Sequence, residues 1–191
     1  MKKSLLAAAC LFAACQAHAD MQVFGYALRP FVGFGLTSGG DRLLSATDAN
    51  GNTQAVHAGG LFDVKAGVDV RFTPTYSSLL TLGYHFDTVG NPQAMRFSRK
   101  PIELLGYYNA SPVVRLGIGA RFVSGAKLTG AGAVGGGTTY GRARGSIVEA
   151  EYAATEHIAL KVRYVAEHYQ PEDGSAEIDG HHYGLYVGYY F

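Results

Sequence analysis

The sequence predicts an all-β protein, an eight-stranded antiparallel transmembrane β-barrel, and three observations carry that prediction. The C-terminal segment, residues 183–191, alternates side chains with a period of two and stops on Phe191. Internal segments repeat the alternation, with apolar residues on one parity and small or charged residues on the other. Short turn-like connections alternate with long polar ones. Composition agrees: the chain has 26 glycines, 13 tyrosines, 10 phenylalanines and a mean hydropathy of +0.04. After the first residues it has no apolar run of helix-spanning length, so a membrane signal must lie in the alternation.

The chain opens as a secretion leader does. Lys2 and Lys3 precede an apolar run over residues 5–15, and Ala17-His18-Ala19 supplies a small-x-small cleavage pattern before Asp20. The expected organisation is a signal peptide over 1–19 and a single barrel domain over 20–191. The run is about half the roughly 20 residues a helical span needs. Processing at Cys15 as a lipoprotein is the alternative, but Phe12 fits poorly at the third position before the cysteine. Cys10 and Cys15 are the only two cysteines, so a chain cut after Ala19 has no disulfide, thiolate metal site or thiol nucleophile.

The strands follow in order. The first runs from Leu28 or earlier to Thr37, with Val32, Phe34 and Leu36 outward and Phe31, Gly33 and Gly35 inward; Pro30 leaves its start open, since proline cannot donate to a ladder. Residues 62–72 form the second, with Phe62, Val64, Ala66, Val68, Val70 and Phe72 against Asp63, Lys65, Gly67, Asp69 and Arg71. The third places Leu80, Leu82, Tyr84 and Phe86 outward against Thr81, Gly83, His85 and Asp87. The fourth covers 102–108, with Ile102, Leu104 and Tyr108 opposing Glu103 and Tyr107, and Pro101 marking a bulge or loop edge. In the fifth, Val114, Leu116, Ile118, Ala120 and Phe122 oppose Arg115, Gly117, Gly119 and Arg121. The sixth, within 140–153, sets Val148, Ala150 and Tyr152 against Ile147, Glu149 and Glu151. The seventh sets Ile158, Leu160, Val162, Tyr164 and Ala166 against Ala159, Lys161, Arg163, Val165 and Glu167. In the last, Tyr183, Leu185, Val187, Tyr189 and Phe191 share the lipid face.

Short turns are expected at 73–76, 109–112 and 155–157, and long loops at 38–59, 88–99, 125–139 and 170–180. This arrangement resembles the small outer-membrane barrels of the OmpA transmembrane domain, OmpX, OmpW and neisserial surface-protein group. The resemblance is architectural and carries no subfamily motif. The terminus, through its aromatic alternation and final Phe191, resembles the signal by which bacterial outer-membrane barrels are recognised for insertion. That implies outer-membrane localisation, contact with outer-membrane lipids and lipopolysaccharide, and the barrel-assembly machinery as partner, with Tyr183, Leu185, Val187, Tyr189 and Phe191 as the signal. An unidentified surface ligand is compatible with the same architecture.

Other motifs carry little. Gly130-Ala131-Gly132-Ala133-Val134-Gly135 satisfies the dinucleotide expression, but no helix follows to hold a pyrophosphate, so a surface loop is expected. Asp48, Asn50 and Asn52 suggest a calcium loop, yet the glycine is at Gly51 and the distal glutamate position is Gly59; a hairpin tip at Asn50-Gly51 fits better. His181 and His182 point to opposite faces of a strand and cannot chelate one metal by themselves, so they read as a polar rim. No cofactor or metal is expected. A net charge of +1 argues against nucleic acid as a partner.

The inward charges are seven acids, Asp63, Asp69, Asp87, Glu103, Glu149, Glu151 and Glu167, and six bases, Lys65, Arg71, Arg115, Arg121, Lys161 and Arg163. Near balance suits a lumen filled by mutual salt bridges better than an ion-selective pore, which favours one sign. About eight strands leave a lumen only wide enough for side chains. The expected function is therefore a structural or surface-interaction barrel. A narrow channel for small or hydrophobic solutes is the alternative. A third is an enzyme similar to the PagL lipid A deacylases. Their His-x-Ser triplet is missing, but outward Ser146 and His168 lie diagonally across strands six and seven, without an outward carboxylate to complete a triad. Arg96, Arg99, Lys100, Arg142 and Arg144 are expected near the outer rim, where lipopolysaccharide phosphates would meet them.

Overall fold

The structure is a computed structural model and describes residues 21–23, 25–47, 53–89, 95–130 and 137–191. The expected leader with Cys10, Cys15 and the cleavage site before Asp20 lies outside the described residues, as do Asp48, Asn50, Gly51 and Asn52 and most of the glycine-rich segment after Gly130.

Eight strands make a closed antiparallel barrel: β1 (Tyr26–Gly39), β2 (Leu61–Arg71), β3 (Tyr76–Val89), β4 (Met95–Asn109), β5 (Val114–Thr129), β6 (Ala143–Ala153), β7 (Ile158–Tyr169) and β8 (His182–Tyr190). Each pairs with the next, and β8 returns to β1 from His182↔Gly39 to Tyr190↔Phe31. Closure leaves no open sheet edge, which a strand as aromatic as β8 requires. The described residues contain no helix.

The three tight turns are built alike. Thr73, Ser111 and Thr155 each accept, through their hydroxyl oxygen, the amides two and three residues on: Thr75 and Tyr76, Val113 and Val114, His157 and Ile158. A short hydroxyl side chain thus replaces the ladder where each strand reverses.

On the opposite rim the strands run further than the sequence indicates. Residues 88–99, expected as a loop, belong mostly to the ends of β3 and β4, and β5 continues to Thr129 through the expected loop at 125–139. The alternation persists there across a one-residue shift at Ser124-Gly125: Met95, Phe97, Val123, Ala126 and Leu128 are buried while Arg96, Ser124, Gly125, Lys127 and Thr129 are exposed. It is obscured by Ser, Lys and Gly on the outer face, which at that height meets water and not hydrocarbon. Pro101 lies inside β4, and its pairing with β3 skips Gly83 and Tyr84; the bulge itself is between Ser98 and Lys100 in the β4–β5 ladder. Residues 38–59 contain a hairpin, Arg42–Thr47 with Thr53–His57, folded toward the barrel mouth.

Outward side chains form an apolar band, with Leu82, Ile118 and Leu185 among those more than three-fifths exposed. Tyr26, Phe72, Tyr76, Tyr108, Tyr152 and Tyr189 border it on the turn side, and Tyr84, Phe86, Phe122, Tyr164 and Tyr183 on the loop side. From Tyr76 to Phe86 β3 rises about 33 Å at 3.3 Å per residue, or about 25 Å along the normal at a tilt near 40°, which matches a barrel's lipid band. Inward glycines form slots in the wall. A Cβ at Gly117 would sit 2.7 Å from the Tyr107 ring and one at Gly188 2.6 Å from Phe31, so these rings lie flat against bare backbone.

Candidate functional site

Inward parity brings ionisable side chains from seven strands, β2 to β8, into one lumen, where they stack in layers. Nearest the turns, Arg115 on β5 forks onto Glu151 of its β6 register partner (Nε–Oε1 2.7 Å, Nη2–Oε2 3.0 Å). Its Nη1 donates to Asp69 on β2 at 2.8 Å and to Ser77 at 3.1 Å. The guanidinium also donates to the Tyr190 hydroxyl, which in turn donates to Glu151 at 2.8 Å. One layer up, Lys161 lies 2.7 Å from Glu151 and 3.2 Å from Glu149, and the Tyr107 hydroxyl donates to Glu149.

Glu103 is the hub above. Its Oε2 accepts from Lys65 at 2.8 Å and from Arg163 at 2.7 Å, and its Oε1 accepts from Arg121 at 2.6 Å. Lys65 and Arg163 come from β2 and β7, so their contacts cross the lumen, whereas Arg121 is the register partner of Glu103 on neighbouring β5. Arg163 also donates to Glu149, and Asp63 receives Lys65 at 3.0 Å and the Tyr186 hydroxyl at 2.8 Å. Multiply bonded charge of this kind is tolerated away from water because most of these ions have several counter-ions and donors, although Asp63 Oδ1 and Asp69 Oδ2 have no hydrogen-bond partner among the described residues.

The next layer is less well satisfied. Arg121 Nη2 meets His85 Nδ1 at 2.9 Å, while His85 Nε2 faces Thr37 Oγ1 at 2.8 Å and Arg99 Nη2 at 3.0 Å. A neutral imidazole has one proton. If Nδ1 accepts from Arg121, Nε2 carries that proton toward Thr37, and Arg99 gains no hydrogen bond from the ring. Arg99 Nε and Nη1 also have no hydrogen-bond partner among the described residues, and its ion pair with Glu167 is long at 4.0 Å. Arg121 Nε and Glu167 Oε2 are 2.9 Å apart but poorly aligned for a hydrogen bond.

Above that layer the interior is mostly apolar, apart from Asp87. Tyr169 donates to Glu167 at 2.7 Å with its hydroxyl and puts its ring among Phe97, Tyr140, Met95, Val123, Ala126, Leu128 and Ala143. Phe97, Tyr140 and Tyr169 meet edge to face. Val56 and Ala58, from the hairpin and its exit, complete this plug.

Twelve of the thirteen charges expected inside are buried. Arg71 has the inward parity but is exposed at the turn-side rim, because the barrel ends there. Asp87 is buried but accepts the His57 amide at 2.7 Å and belongs to the hairpin's seat. Arg99 is corrected: it is 0% exposed inside the lumen and cannot meet an external phosphate. It shares the parity of Glu103 four residues on, a signal the break at Pro101 concealed. With Asp87 at the hairpin's seat counted, the barrel interior thus holds seven buried acids and six buried bases, with Arg99 in place of Arg71. His182, read as rim, is also buried, with Nδ1 2.8 Å from the Gly180 carbonyl. Tyr107, Tyr186 and Tyr190 are network members not singled out in the sequence, although their inward parity was legible.

On the outer surface Arg96, Lys100, Arg142 and Arg144 are exposed, and Arg96 lies over the Phe86 ring at 4.8 Å. Ser146 and His168 are both outward, with Ser146 paired to Ala166, but no hydrogen bond joins them among the described residues; His168 packs against His181 instead. Tyr183, Leu185, Val187 and Tyr189 face outward, whereas Phe191 is only 9% exposed, with its amide donating to the Pro30 carbonyl at 3.0 Å and its ring against Tyr189.

No protein-family model matches the chain, and no curated protein matches it. Among solved structures the chain is similar to Ail, the attachment invasion locus protein of Yersinia pestis, at 12% identity and a TM-score of 0.51, covering 86% of this chain and 97% of that one. A second Ail structure, in complex with the heparin analogue sucrose octasulfate, gives a TM-score of 0.50 at 12% identity over 86% and 97% of the two chains. Neisserial surface protein A matches at 10% identity and a TM-score of 0.47, over 87% and 96%. At such identities the likeness concerns the fold, an eight-stranded antiparallel transmembrane barrel of the small bacterial kind.

Proposed function

We propose that this chain is an outer-membrane barrel with a structural or surface-interaction role, a lumen closed by its own side chains, and a working surface on its loop side. The observation that carries this reading is Glu103, which ties bases from β2, β5 and β7 together across the lumen within 2.8 Å. A solute path along the axis would have to break that hub and then the apolar plug above it. Planar-bilayer recording of the purified protein tests it: conductance should be absent or very small. A large, stable conductance whose ion selectivity changes with interior substitutions would transfer the assignment to a narrow channel.

The working surface is basic. We assign Arg96, Lys100, Arg142 and Arg144 to lipopolysaccharide phosphates, since guanidinium groups at the edge of an apolar band suit bidentate phosphate contacts and the Lys100 ammonium adds a point charge beside them. The Ail complex with a sulfated heparin analogue supports an anionic partner for such a rim, as an analogy of fold. Neutralising the four residues should weaken lipid A binding in reconstituted bilayers, and unchanged binding would refute the assignment. Residues 1–19 serve as the secretion leader in this reading, and the terminal strand as the insertion signal for the barrel-assembly machinery. A lipid A deacylase would need Ser146 and His168 to act together; loss of a measured deacylation on Ser146→Ala would favour that reading instead.

A further inference from the structure

We propose that His168, Asp179 and His181 form a divalent transition-metal site of the zinc class on the outer face of the loop-side rim. Antiparallel pairing sets His168 of β7 opposite Asp179 of the short strand Ile178–Asp179, and paired residues share a face. His181, two residues past Asp179, returns to that face, so three donors from two chain segments converge. Their ligand atoms all lie within 4.8 Å of one another. His181 Nδ1 is 2.9 Å from Asp179 Oδ1, and the imidazoles of His168 and His181 meet edge to face at 4.5 Å between centroids. Glu177 Oε1, 3.9 Å from His168 Nδ1, is placed to supply a fourth donor.

The donor set chooses the metal. Two imidazoles and a carboxylate suit zinc and its neighbours, whereas calcium and magnesium demand oxygen donors. Tetrahedral bonds of about 2.0–2.1 Å place donors roughly 3.3 Å apart. The side chains of His168 and Asp179 are about half exposed, which leaves them room to turn toward a shared ion. The ring of His181 is already stacked on Tyr164, with an interplanar angle of 12°. His168 lies four residues beyond Tyr164 on β7, past the aromatic border of the lipid band, where aqueous ions have access. Asp179 also exchanges two hydrogen bonds with Asp41, at 2.7 and 2.9 Å, at the base of the hairpin. A cation here would therefore brace the last loop against both β7 and the hairpin that covers the plug.

The test is calorimetric titration of the folded, untagged protein, purified from membranes in detergent, with zinc chloride alone and with magnesium chloride for comparison. One saturable zinc per chain and no magnesium binding are expected. His168→Ala and His181→Ala should each weaken zinc binding by at least about tenfold. His157→Ala, at the turn-side rim, should leave it unchanged. All three positions are surface sites, and heat-modifiable gel mobility reports whether each variant is folded. Zinc should also slow proteolysis within residues 170–181 of the wild type and of His157→Ala, and leave the other two variants unprotected. Zinc affinity equal in all three variants, or no saturable binding to folded wild type, would overturn the site.

Discussion

The lower and upper parts of the lumen solve the same packing problem with opposite chemistry. From Arg115 to Arg121 the barrel is filled by ions with multiple partners, whereas above Glu167 it is filled by Phe97, Tyr140, Tyr169 and aliphatic side chains. The difference follows what surrounds each level. Where the outer face meets hydrocarbon, an apolar residue on either parity is equally at home in lipid, and an apolar interior would leave the strand's facing unspecified. Inward charge makes the wrong register prohibitively costly, because a one-residue slip would put every ion into lipid. Above the membrane the outer face is wet, hydrophobic burial regains its driving force, and an ordinary apolar core specifies the fold.

The largest effect expected to break this comparison is at the hub. Glu103→Ala should remove the counter-ion that Lys65, Arg121 and Arg163 share and destabilise the barrel by about 3–5 kcal/mol, read as the urea midpoint of protein folded into phospholipid vesicles. Arg115→Ala should cost a comparable few kcal/mol, since Asp69 and Glu151 lose their common donor. If both variants unfold like wild type, the layered ions are not what holds the lower lumen. Phe97→Ala, in the plug, should cost about 3 kcal/mol through the cavity it leaves. That loss should open the loop-side end first, detectable as faster amide exchange in β4 above Pro101 with the lower strands still protected.

Two smaller effects sharpen the boundary between the regions. Gly188→Ala should cost about 1–3 kcal/mol by pushing Phe31 from its slot, and pairing it with Phe31→Leu should recover most of that loss. Arg99→Met should cost less than Arg121→Met, because Arg99 lies at the seam, with its guanidinium over Phe97 and two nitrogens without hydrogen-bond partners among the described residues. Equal losses would place the polar-to-apolar boundary above Arg99 and not at it.

How much of this was readable depends on the range of the signal. Strand number, the three turns and the facing of Asp63, Lys65, Glu149 and Lys161 all follow from period-two alternation, which is local. The same rule covers Arg99, but Pro101 and the Ser, Lys and Gly residues of the protruding strands disguised β4 and β5 as loops. Phe191 differs for another reason: past the last ladder pair, Tyr190↔Phe31, parity no longer constrains a side chain, and Phe191 folds back onto Tyr189.

The sequence by itself determined which residues face the lumen and that their charges nearly cancel, because side-chain direction along a strand is a property of the backbone. Only the closed barrel decided who meets whom. Glu103 reaches Lys65 and Arg163 because closure and stagger bring β2 and β7 level with it around one axis, and His168 reaches His181 because the loop that follows β7 folds back onto that strand. Lys65 and Arg163 stand 38 and 60 residues from Glu103 in the chain, and the geometry that joins them is the sum of several registers, which no single strand encodes.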